Sequence, residues 1–153
     1  MIILLSLLCS AFFSGMEIAY VSSNRLNLEI EKKQKGLIPK ILSIITKDPS
    51  RFISTMLIGN SFALVIYGLF MGQFIVDNLS FLFLPSMNEL TVLLLQTIIS
   101  TLLILIAAEF IPKVLFQIYS NFSMKIFSIP AYIFYIILYP CLLYTSDAAD
   151  ECD

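Results

Sequence analysis

"LTVLLLQTIISTLLILIAAEFIPK", residues 90–113, decides the fold. From Leu90 to Ala108 it carries no charge. An apolar helix of roughly 20 residues is what crosses a hydrocarbon core about 30 Å thick. Glu109 ends the run with a carboxylate, and Pro112 follows three residues later. A carboxylate in lipid needs a partner to offset its lost hydration. Proline removes a backbone hydrogen bond from the helix it enters. The stretch therefore predicts a membrane span whose last turn holds both an acid and a break.

Two more stretches share that character. Residues 1–23, "MIILLSLLCSAFFSGMEIAYVSS", are apolar apart from Glu17, and residues 52–76, "FISTMLIGNSFALVIYGLFMGQFIV", have no charge at all. Hydrophobic residues make up 59% of the 153-residue chain, against about 45–50% in soluble domains. The reading is an all-α membrane protein with three transmembrane helices, at about 1–23, 52–76 and 90–112. The first segment lacks the basic flank and small-residue cleavage pattern of a secretory signal, and Leu8 before Cys9 suits a lipoprotein site poorly, so a retained helix is expected. Residues 126–139, "IFSIPAYIFYIILY", are apolar but short and contain Pro130. They predict an interfacial belt helix, within about 123–140, rather than a span.

Seven of the nine basic residues lie between positions 24 and 51, and the loop from Asp77 to Glu89 has none. By the positive-inside rule the first connection is cytoplasmic and the second external. That makes a multi-pass protein of the cell membrane with its N-terminus outside and its C-terminus in the cytoplasm. The basic connection, about 24–50, reads as two short amphipathic helices separated by Gly36 and Pro39, lying as a juxtamembrane hairpin on the lipid bilayer. Asp48-Pro49 is an N-cap with proline at the first helical position. A basic patch beside a membrane is explained by lipid, so no nucleic acid is expected as a partner.

From Cys141 the composition changes. "CLLYTSDAADE" resembles the conceptual translation of a sequencing-library adapter, so residues 141–153 are expected to be a foreign tail on a frame cut near Pro140. The alternative is a genuine acidic tail. The segment holds Asp147, Asp150, Glu151 and Asp153, so without it nine basic residues face seven acids and the net charge moves from −2 to +2. Cys9 would then be the sole cysteine, which excludes an intrachain disulfide.

Absence of histidine excludes imidazole metal sites and His-based acid–base catalysis, and no intramembrane Asp pair or Ser–His arrangement suggests an enzyme. The polar side chains in the three spans are Ser14, Glu17, Ser54, Thr55, Asn60, Ser61, Gln96, Thr97, Ser100, Thr101 and Glu109. Serine and threonine can bond back to their own helix. Asn60, Glu17 and Glu109 cannot be absorbed so easily. Ser14 and Glu17 share a helix face, with Gly15 between them permitting close approach or a break. Gly59 gives Asn60 the same latitude. Pro112 frees the carbonyl of Ala108, next to the Glu109 carboxylate. These are hard oxygen donors, suited to Mg²⁺, Na⁺ or Ca²⁺ rather than Zn²⁺ or Cu²⁺. The residues alone leave a second reading open, in which Asn60 and Glu17 bond across helices and Glu109 sits at the inner interface.

"FFSGMEIAYVSSNRL", "DPSRFISTMLIGNS" and "AEFIPK", in that order and on successive spans, resemble the transmembrane domain of the CorC/CorB and cyclin M magnesium transporter family, over about residues 10–140. The resemblance implies a homodimer of three-helix protomers with a cytoplasmic belt and an inward-facing Mg²⁺ site. It assigns the ion to Ser14, Asn60, Glu109 and the Ala108 carbonyl, with Glu17 supporting the site. It implies Mg²⁺ export coupled to Na⁺ entry, or, as argued for some members, a non-transporting sensor or scaffold that regulates another magnesium system. Full-length members carry a cytosolic CBS-domain pair that binds ATP, and that pair is missing here. Two positions depart from the family pattern: Met16 stands where a small or hydroxyl residue is frequent, and Ala108 where glycine is common.

Overall fold

The computed structural model describes residues 1–78 and 86–152, with no strand among them. The centre of the second loop, 79–85, and Asp153 lie outside the described residues, as does the expectation of an external loop there. Helix α1 runs Ile2–Ser22, α2 Arg25–Lys32, α3 Leu37–Ile45 and α4 Pro49–Asn78. Then come α5, Glu89–Ile104, a π-helical segment, Leu105–Phe110, and α6, Ile111–Ile118, followed by α7, Ser120–Ile126, and α8, Ser128–Cys152.

The punctuation between helices is chemical. Asn24 caps α2 by accepting from the Leu26 N–H at 2.9 Å. Gly36 takes φ 148°, a backbone region that a side chain would oppose, and turns the chain into α3. Pro39 falls in the first turn of α3 instead of between the two helices; a missing N–H costs nothing there. Asp48 accepts from the Arg51 N–H at 3.3 Å, and Pro49 opens α4 as the sequence predicts.

Helix α1 occupies the middle of the molecule, packed against α4, the π segment, α6 and α7. It runs antiparallel to α4, and two apolar clusters fasten the pair. At the hairpin end Phe13, Met16 and Ala19 meet Phe52 and Met56, joined by Leu42 and Ile45 of α3 and Met124 of α7. At the other end Ile3 and Leu7 meet Tyr67, Met71 and Ile75, with Ile99 and Ile104 behind them. The Tyr67 hydroxyl donates to the Ser100 carbonyl at 3.2 Å and ties α5 to α4.

Two expectations need correcting. The belt region, expected as one helix over 123–140, breaks at Phe127 into α7 and α8, and α8 continues through Pro140 to Cys152. Pro130 sits in the first turn of α8, where it starts a helix rather than stopping one. With residues 140–145 added, Ser128–Thr145 is long and apolar enough to cross a membrane. There are thus four helices of spanning length and composition among the described residues, where the sequence reading has three. The third span also runs past its expected end at 112 to Ile118, with Pro112 in the first turn of α6.

Candidate intramembrane cation site

Between the two apolar clusters lies a thin polar layer. On α1, Ser10 and Ser14 are four residues apart and so share a face; both are buried, Ser10 completely. The Ser10 hydroxyl donates to Asn60 Oδ1 of α4 at 2.6 Å. The Ser14 hydroxyl donates to the Ala108 carbonyl at 3.1 Å. One helix thus touches two others through one hydroxyl each.

The Ala108 carbonyl is available for a local reason. Pro112 has no N–H to return to it. Leu105–Phe110 just before it is a π segment, closed by the Ile111 N–H bonding back to the Ile106 carbonyl. Single π turns inside α-helices are rare and concentrate at functional sites. Ala108 itself is fully buried, so an unpaired carbonyl there would be costly, and Ser14 removes that cost.

Glycines let the helices approach closely enough for this layer to form. A Cβ on Gly59 would lie 2.6 Å from the Phe13 ring, and one on Gly15 2.7 Å from the Phe116 ring. Neither glycine breaks its helix, as the sequence reading allowed; α1 and α4 run through both. The rings belong to a phenylalanine nest below the polar layer. Phe13 meets Phe134 at 4.8 Å between centroids, and Phe116 stacks on Phe127 at 5.3 Å.

The remaining site residues are placed differently. Glu109 is half-buried and its recorded partner is Lys113, one turn further along the same helix, at 4.0 Å. The two charges lie in an open groove of about 460 Å³ with Leu102, Leu105, Ile106 and Phe110. No hydrogen bond joins Glu109 to Ser14 or Asn60 among the described residues. Glu17 is half-buried and makes no ion pair among them. Pro112 is buried directly after the π segment. The structure therefore joins Ser14 to Ala108 and brings Asn60 to α1, while Glu109 and Glu17 stand apart.

Ser10 was absent from the residues singled out in the sequence. Its signal was the spacing of Ser6, Ser10 and Ser14, three buried hydroxyls at intervals of four. Elsewhere the serines and threonines behave as expected: Thr55, Ser61 and Thr97 bond to carbonyls one turn back on their own helices. Outside the spans, the Lys32 ammonium hydrogen-bonds Glu29 at 2.8 Å and holds its carboxyl below the usual carboxylate range. A Lys125–Glu31 pair at 3.2 Å links α7 to α2.

Apolar helices of spanning length, with small residues, a π turn and neutral oxygens at their centre, define a multi-pass helical membrane protein built around an intramembrane polar site. The family model of the Cyclin M transmembrane N-terminal domain matches residues 1–150, and the chain belongs to that family. It is a membrane family linked to magnesium transport and is not a known enzyme family. A search among curated proteins finds no match.

Proposed function

We propose that the chain carries Mg²⁺ across the cell membrane, exporting it against Na⁺ entry, as one protomer of a homodimer. In this reading Ser14, Asn60, the Ala108 carbonyl and Glu109 bind the ion, Ser10 holds Asn60, and Glu17 supports the site. The chain enters with its N-terminus outside and leaves into the cytoplasm, as the basic hairpin favours. ATP acts only through the CBS pair of full-length members.

One observation carries this reading: the Ser14–Ala108 bond at the π segment. The two carbonyl-type oxygens, of Asn60 and Ala108, each accept a serine proton. A cation entering the layer takes the place of the Ser14 hydrogen on the Ala108 carbonyl. The Ser14 hydroxyl turns that hydrogen away and offers a lone pair, so the neutral oxygens of Ser14, Asn60 and Ala108 become ligands while Ser10 keeps its hydrogen bond to Asn60. Glu109 must leave Lys113 to add its charge. A half-exposed ion pair is worth about 0–1 kcal/mol, so the exchange is cheap beside the attraction of a dehydrated divalent ion.

The test is thermal protection by Mg²⁺ in detergent. Asn60→Ala and Glu109→Ala should each abolish it, and unchanged protection in both would refute the site. Mg²⁺ flux into liposomes containing only the full-length purified protein tests transport itself. Absence of flux with binding intact would identify a non-transporting sensor or scaffold.

A further inference from the structure

A second polar cavity, of about 350 Å³, lies away from the cation layer at the hairpin end of the molecule. Its walls come from the end of α1, the face of α2 that carries Arg25, Leu28 and Lys32, the residue that follows α3 and the first two turns of α4. We propose that this cavity seats the phosphate of an anionic phospholipid headgroup between Arg25 and Lys32.

The charges favour an anion. Arg25 is exposed and has no ion pair among the described residues. Lys32 stands seven residues on, two turns along the same face of α2 and about 10.5 Å away along the axis. An arginine and a lysine stem can close on one phosphate over that span. An arginine presents a planar donor fork that matches phosphate oxygens, and a lysine adds a point charge. Glu29 is the one carboxylate in the lining; it occupies Lys32 from the solvent side, with its own side chain 62% exposed. In the same connection, Lys33, Lys35, Lys40 and Lys47 are exposed and also without ion pairs among the described residues, so the long-range field is positive.

The position favours a lipid over a soluble phosphate. Val21 and Ile53 form the apolar lip, and they sit where α1 and α4 pass from their apolar lengths into the charged hairpin. Val21 is 64% exposed, and Leu26 at the start of α2 is 67% exposed, so acyl chains have a surface to follow. A headgroup phosphate at that level meets cations on one side and apolar side chains on the other. A free phosphate would use only the first.

The experiment uses the purified full chain in nanodiscs of mixed phosphatidylcholine and phosphatidylglycerol, with retained lipids counted by native mass spectrometry. Phosphatidylglycerol should be retained in preference. Arg25→Gln should lower that retention about fivefold, the usual worth of one cation at a membrane surface. Lys35→Gln, outside the cavity, should lower it less. Glu29→Gln should raise it by freeing Lys32, a gain that misfolding cannot imitate. Inorganic phosphate should leave the thermal midpoint in detergent unmoved. Equal retention of both lipids, or no response to Arg25→Gln and Glu29→Gln, overturns the proposal. So does stabilisation by inorganic phosphate that needs Arg25, which would assign the cavity to a soluble anion.

Discussion

Helix α1 and the run Glu89–Ile118 that α5 opens are both long and apolar enough to span a bilayer, yet the surroundings of α1 and α5 differ completely. Helix α1 buries Ser6, Ser10, Phe13, Ser14, Gly15, Met16 and Ala19, whereas α5 has no buried residue. The run that α5 opens is the more hydropathic of the two spans, yet α5 is the helix left outside. Lipid tails are as apolar as leucine, so hydrophobicity alone draws no two helices together in a membrane. Small residues let backbones approach, and polar groups give the contact a direction. Helix α1 has both on one face, and α5 has leucine and isoleucine on every face.

The hardest way to break that contrast is to give α1 the side chains of α5. Gly15→Leu would drive a branched side chain into the Phe116 ring, where even a Cβ lies at 2.7 Å. Overpacking of this kind costs about 3 kcal/mol, seen as a lower thermal midpoint in detergent or loss of monodisperse protein. Ile98→Ala in α5, at a position 54% exposed, should stay within about 0.5 kcal/mol of the parent. Equal sensitivity at the two sites would end the distinction.

Ser14→Ala comes next, at about 1–2 kcal/mol, because it strands a buried carbonyl. Pro112→Ala sharpens the point. It restores an N–H at the one position able to reach Ala108 by ordinary helical bonding. In that background Ser14→Ala should cost clearly less, a non-additivity that a double-mutant cycle reads directly. The same cost in both backgrounds would mean that proline does not free the carbonyl.

These residues also show what the sequence could reveal. The pairing of Pro112 with the Ala108 carbonyl was legible because a missing N–H is a local fact. The Asp48-Pro49 cap is legible for the same reason. The partner of the freed carbonyl was not, since nothing within α1 states which helix Ser14 will meet. Ser10 is not legible because serine and threonine in a helix usually bond to their own backbone, as Thr55 and Thr97 do here. Only the packing that Gly15 and Gly59 allow turns the hydroxyl outward to another helix. The reach of α8 is not legible because the apolar run 126–139 is short by itself: spanning length comes only with residues 140–145, and Pro130 in the first turn does not stop the helix.

Ser10→Ala should be milder than Ser14→Ala, about 1 kcal/mol, since Asn60 is only partly buried. It should nevertheless weaken Mg²⁺ protection by letting the Asn60 carboxamide rotate.

The smallest effect on stability, and the most informative on function, belongs to Lys113→Met. The pair with Glu109 is long, at 4.0 Å, and Lys113 is 43% exposed, so its loss should move stability by less than about 0.5 kcal/mol. Mg²⁺ binding should respond in the opposite sense from Glu109→Ala. With its competitor gone, the carboxylate is free to turn toward the layer of Ser14, Asn60 and Ala108, and protection should begin at lower Mg²⁺ concentration. Protection lost in Lys113→Met as fully as in Glu109→Ala would mean the ion pair itself is needed. Glu109 would then act from the outer groove as a support for the π segment, and the bound ion would rest on neutral oxygens alone.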